Sequence, residues 1–128
     1  MLRIALVEDE AVLAEMYKLR LEIEGYECLV SDDGQKGLEL IQLHKPDLVL
    51  LDLMLPHMRG TEILRIMRES DWGKDIKVII LTNISDTVSP DDLKQHHFER
   101  YIVKSNNSLH EMIDIIHEVL NDRPAAAA

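Results

Sequence analysis

Three short runs of this sequence, "LRIALVE" (2–8), "DLVLLDL" (47–53) and "KVIILT" (77–82), are nearly continuous hydrocarbon. A strand with one wet face alternates apolar and polar residues, whereas a strand covered on both faces does not. Such runs fit a parallel sheet packed between two layers of helices. Two more, "YECLV" (26–30) and "RYIVK" (100–104), read as further strands. One residue disturbs the pattern. Asp52 sits inside the third run, where an unpartnered carboxylate is costly, so the fold must bring it a charged or hydrogen-bonding partner.

Helical patterns separate the strands. Val12, Met16, Leu19 and Ile23 fall at spacings of four, three and four, the expected core-facing stripe of a first helix closed by Gly25. Ile63, Ile66 and Met67 form a second stripe. Leu109, Met112, Ile113, Ile116 and Leu120 form a third, with Asn107 or Ser108 as its N-cap. "GQKGLELIQLHKP" (34–46) reads as a weaker helix, its propensity lowered by Gly34 and Gly37, with Pro46 bounding it. "SPDDLKQHHF" (89–98) reads as about two turns, with Pro90 in the first turn after Ser89. The order is β-α five times over, with no internal repeat and no second domain.

At 128 residues the chain has the size of one domain. Its 24 Asp+Glu against 14 Lys+Arg leave a net charge of −10. That balance argues against a nucleic-acid surface, which needs a basic patch, and against an anionic membrane as main partner. No apolar run approaches the roughly 20 residues that span a bilayer. Cys28 is the single cysteine, so no internal disulfide forms, which fits a reducing, cytoplasmic setting. The terminal "RPAAAA" is low-complexity; residues 1–121 are read as the domain and 122–128 as a C-terminal tail or appended remnant.

Right-handed crossovers bring the carboxyl ends of all parallel strands to one edge of the sheet, where ligands of open α/β folds bind. Glu8, Asp9 and Glu10 follow the first strand; Asp52 ends the third, Thr82 the fourth and Lys104 the fifth. Converging carboxylates repel one another, and a hard divalent cation such as Mg²⁺ is the usual remedy, its coordination completed by water and phosphate oxygens. Thr82 and Lys104 supply the donors a phosphoryl group needs, and a carboxylate such as Asp52 can become an aspartyl phosphate.

"ALVEDE", "PDLVLLDLMLPHMRGTEIL", "VIILTN" and "RYIVKS", in this order and spacing, resemble the receiver domain of two-component response regulators, from residue 2 to about 121. The resemblance implies a flavodoxin-like, doubly wound α/β fold: a five-stranded parallel sheet in order 2-1-3-4-5 with five helices. It implies phosphotransfer from a sensor histidine kinase or histidine phosphotransfer protein to Asp52. Mg²⁺ would be held by Glu8, Asp9, Asp52 and the backbone carbonyl of Met54. Thr82 and Tyr101 match the switch pair, and Lys104 the phosphate-binding lysine. The surface formed by segment 89–98, the fifth strand and the last helix would then change, with a phosphorylation-dependent homodimer as one outcome. Kinase contact is expected along the first helix near Ala11, Val12 and Glu15, and at the loop around Pro56.

The sequence departs from that family pattern in places. Serine follows Lys104 where proline is usual, so the Lys104–Ser105 peptide is expected trans. Asn83 replaces the usual small residue after Thr82, and "HHFE" replaces the usual Gly-Ala before the last strand. Met54 and Ile84, flanking the line of water attack in the family, are bulky and apolar, which implies slow loss of the phosphoryl group.

Each site residue has a plainer explanation when taken alone. Acids complement a helix N-terminus, Thr82 is a β-branched strand residue, and Tyr101 a half-buried one. It is the combination that favours a metal and phosphate site. Cys28 reads as core, His57 as a loop residue first, and adjacent His96 and His97 point apart on a helix, against shared ligation. Two other functions compete. A haloacid-dehalogenase-type phosphatase also uses an aspartyl phosphate, but places a second Asp where this chain has Met54. A degenerate, purely interacting receiver would not need Glu8, Asp9, Asp52, Thr82 and Lys104 together.

Overall fold

A computed structural model describes residues 1–83 and 95–121. Along the chain run β1 (Arg3–Val7), α1 (Ala11–Ile23), β2 (Glu27–Ser31), α2 (Gly34–His44), β3 (Leu48–Asp52), α3 (Gly60–Glu69), β4 (Lys77–Thr82), β5 (Arg100–Val103) and α4 (Leu109–Val119). The five strands pair in parallel, in order β2-β1-β3-β4-β5. The expected architecture and strand order are both found. The helix expected over 89–98 falls largely outside the described residues; of that segment, residues 95–98 are described and are not helical.

The apolar runs bury both faces of the sheet. Ile4, Leu6, Leu48, Leu50, Ile79 and Leu81 point to one side, where Ala14, Tyr17 and Leu21 of α1 and Met112, Ile113 and Ile116 of α4 cover them. Their neighbours Ala5, Val7, Val49, Leu51, Val78 and Ile80 point to the other, against Ile41 of α2 and Ile63, Leu64 and Met67 of α3. Every residue of β3 is buried, Asp52 included. This period-two division within nearly all-apolar strands is what forces helices onto both faces.

One expectation is overturned. The stripe Val12, Met16, Leu19 and Ile23 faces solvent, with Val12 81% and Ile23 77% exposed. The sheet takes the opposite face of α1, through Ala14, Tyr17 and Leu21. Successive helical residues turn by about 100°, and both sets share a near-3.5 spacing, so periodicity alone offered two apolar faces. Packing selects the one with a small residue: Ala14 lets the helix sit close to the sheet.

Small residues and caps fix the other joins. Gly25 at φ 95 ends α1 as expected, with the Tyr26 N–H donating to the Leu21 carbonyl in a Schellman closure. In α2 the glycines that lower propensity serve packing instead: a Cβ at Gly37 would lie 2.7 Å from a Val7 methyl. Ser108 caps α4 in a reciprocal capping box with Glu111. No helix among the described residues is long and apolar enough to cross a membrane.

Candidate functional site

β1 lies between β2 and β3, so the chain leaves β1 towards one side and returns to β3 on the other. That reversal opens a crevice at the carboxyl ends of β1 and β3. In register, Val7 stands opposite Leu51. The residues that follow, Glu8 and Asp52, therefore leave the sheet side by side. Both are buried, at 1% and 2% exposure, while Asp9 next to them is exposed. One carboxylate oxygen from each of Glu8, Asp9 and Asp52 lies within 4.8 Å of the other two.

Lys104, just beyond β5, reaches across β4 into this cluster. Its Nζ donates to Asp52 Oδ2 at 2.9 Å and also to Glu8 Oε1. This ammonium is the charged partner that the buried Asp52 requires. The lysine backbone is itself fixed, its N–H donating to the Thr82 carbonyl at 2.8 Å, and the Lys104–Ser105 peptide is trans. Burial pulls the lysine pKa down, but the bonds to Glu8 and Asp52 outweigh it and hold it above the usual value. Burial pushes the Glu8 carboxyl up to about 7, against the opposing pull of its bonds to Lys104 and to the Glu10 N–H. The donors are all hard oxygens with excess negative charge, and they suit a small divalent cation better than a softer metal.

Thr82 is fully buried at the end of β4, its hydroxyl donating to the Asn83 carbonyl at 3.2 Å. Tyr101 pairs in register with Ile80, and Val103 with Thr82, so Tyr101 and Thr82 share one face of the sheet. The Tyr101 side chain is turned outward, leaving the residue 46% exposed. Met54 is also exposed, and its N–H donates to Asp52 Oδ1 at 3.3 Å. The structure thus brings together Glu8, Asp9, Asp52 and Lys104, with Thr82 and Met54 adjoining them in the chain or ladder. Ile84 lies outside the described residues. Cys28 is buried, and its thiol is pushed up to about 12 by that burial, as fits a core residue.

One partnership escaped the sequence reading. His57 lies in the loop between β3 and α3, as expected, and its Nδ1 meets the carboxylate of Asp33 at the start of α2. Asp33 is buried and caps α2 by accepting from the Lys36 N–H at 2.9 Å. An Asp ahead of a helical pattern is a cap signal; nothing local shows that its second oxygen is claimed by a residue 24 positions away.

Comparison with known proteins places this geometry. A family model for the response regulator receiver domain matches residues 4–117. The DNA-binding response regulator MtrA of Mycolicibacterium paratuberculosis is 44% identical over 86 residues, 67% of this chain and 37% of MtrA. The matched stretch therefore spans little more than a third of that relative's length. Among solved structures, a CheY-like receiver domain protein from Methanospirillum hungatei superposes with a TM-score of 0.85 at 27% identity, covering 94% of each chain. The receiver domain of the sensor histidine kinase PA1611 from Pseudomonas aeruginosa, solved with a magnesium ion coordinated in its active site cleft, superposes with a TM-score of 0.83 at 23% identity, covering 94% of this chain and 98% of that one. With strand order, carboxyl-edge cluster and family match in agreement, the chain belongs to the response regulator receiver domain family.

Proposed function

We propose that Asp52 is the phosphoacceptor of this receiver, taking its phosphoryl group from the phosphohistidine of a sensor kinase or histidine phosphotransfer protein. The observation that carries the reading is the Lys104 ammonium bonded to both Asp52 and Glu8 within a cluster of three carboxylates at the carboxyl edge. In the reaction an Asp52 oxygen attacks phosphorus, a P–O bond forms, the P–N bond breaks, and the histidine leaves with its electron pair. Glu8, Asp9, Asp52 and the Met54 carbonyl would hold Mg²⁺, in keeping with the ion in the PA1611 receiver cleft. That ion would offset the charge that builds on the phosphoryl oxygens. Lys104, already pointing at Asp52, compensates the same charge from the other side.

Thr82 is then the hydroxyl that turns towards the new phosphoryl oxygens, and Tyr101 the ring that moves inward from its exposed position. The altered face of segment 89–98, β5 and α4 would be the surface read by an output domain or by a second copy. Met54 brings no acid or amide to orient an attacking water, and neither does Ile84, so self-catalysed loss of phosphate is slow. The domain is a regulatory switch of this kind over residues 1–121. A phosphohistidine donor and a single buried cysteine support a cytoplasmic location.

The exposed stripe of α1 supports the kinase-facing side of the reading. Val12, Met16, Leu19 and Ile23 run the length of the helix at heptad spacing, the pattern that packs along another helix. The Ala11 end of that helix begins beside the acidic cluster, so a helical phosphodonor seated there would bring its histidine to Asp52.

Incubation with a small phosphodonor and Mg²⁺, followed by intact mass measurement, tests the reading. One phosphoryl group should appear, and should be absent with EDTA or in Asp52→Asn. Equal labelling of wild type and Asp52→Asn would place the acceptor elsewhere.

A further inference from the structure

We propose that His57 is a positioning residue for the segment that carries the Met54 carbonyl, and that its bond to Asp33 sets that segment's conformation. The inference rests on the reading of Met54 as a backbone ligand. The segment between β3 and α3 leaves Asp52, passes Met54 and Pro56, and enters α3 at Gly60. Its ends are held by two bonds: the Gly60 N–H donates to the Leu53 carbonyl at 2.9 Å, and the Met54 N–H to the Asp52 carboxylate at 3.3 Å.

Its middle leans on the start of α2. The Gly34 N–H donates to the Pro56 carbonyl at 3.0 Å. A Cβ at Gly34 would lie only 1.8 Å from the Met58 carbonyl oxygen, so the two backbones touch. At the apex, His57 adopts φ 69, the left-handed region that glycine enters freely and a histidine does not. The residue is exposed and packs into no core that would compensate. What it gains is the bond from Nδ1 to the buried Asp33, whose other oxygen already caps α2. The Met58 N–H donates to the Pro56 carbonyl across His57 at 2.9 Å, so the backbone frames the turn, and the Nδ1 bond to Asp33 is the contact that ties this strained turn to α2 and clamps the loop that bears it.

The clamp acts on Met54, three residues earlier. With it in place the carbonyl of Met54 is ordered before any ion arrives, and with it lost the ion must order the loop as it binds. His57→Gly keeps the backbone angle and removes the bond. His57→Asn keeps the angle and retains an amide that can donate to Asp33.

In metal-free protein, hydrogen exchange of the Leu53, Met54 and Leu55 amides should accelerate several-fold in His57→Gly and stay near wild type in His57→Asn. Calorimetric Mg²⁺ titration should show about three- to tenfold weaker binding for His57→Gly and less than twofold for His57→Asn. Exchange and affinity unchanged in His57→Gly would overturn the proposal. So would an equal loss in both variants, because the bond to Asp33 would then not be what matters. If wild type and Asp9→Ala bind Mg²⁺ equally, the metal reading fails. The exchange data would still decide whether His57 orders the loop.

Discussion

Glu8 is the residue whose chemistry depends most on its surroundings. Burial beside Asp52 pushes its carboxyl from about 4.5 in the unfolded chain to about 7. Between those values the folded protein binds a proton that the unfolded chain has already lost, so metal-free stability falls as pH rises through that window. A divalent cation needs the carboxylate and displaces the proton. Mg²⁺ affinity should therefore climb by up to about tenfold per pH unit below 7 and level off above it. Thermal midpoints with and without Mg²⁺ at pH 5.5 and 7.5 check this: the gain from metal should be larger at the higher pH, and Glu8→Gln should flatten the difference. The same residue shows why the site was legible in the sequence. Charge at a strand end is visible in a string of letters, and topology supplies the convergence. The lysine bridging two carboxylates follows from both. The Asp33–His57 bond does not, because it joins two loops whose approach depends on Gly34 and the Met58 carbonyl touching.

Among the elements, α1 is the one whose orientation the sequence left open. Val12, Met16, Leu19 and Ile23 had the regular spacing of a core stripe, and Ala14, Tyr17 and Leu21 had one as good. Spacing reports that a helix has an apolar face; which face meets the sheet depends on fit, and a small alanine and a ring with a polar tip fit here. The misread stripe becomes informative once it is known to be outside. Burying such a stripe against a partner helix would remove most of its apolar area from water, a gain of order 1 kcal/mol per side chain. Leu19→Glu should leave the thermal midpoint within a few degrees of wild type, since the residue is half exposed. It should slow phosphotransfer from a helical histidine-bearing donor by tenfold or more, with small-molecule phosphorylation unaffected. Equal slowing with both donors would mean that the substitution had damaged the site, not a docking surface.

For the molecule as a whole, the fold and the site are one statement. The nearly all-apolar β1, β3 and β4 require cover on both faces, parallel crossovers supply it, and the same crossovers gather every strand end at one edge. Sequence pattern carried that logic to a parallel sheet with its strand ends at one edge, and the family resemblance supplied the strand order that the structure has. Segment 84–94, which holds Ile84 and most of the helix expected over 89–98, lies outside the described residues. The central claim is that Asp52, and no other carboxylate in the cluster, receives the phosphoryl group. Borohydride reduction of the phosphorylated protein, followed by peptide mass mapping, tests this most directly, because an acyl phosphate is reduced to the alcohol while a free carboxylate is not. Homoserine should appear at position 52 alone, and only when phosphodonor and Mg²⁺ were both present. Homoserine at Asp9, or an unreduced Asp52 in protein that carries phosphate, would contradict the account.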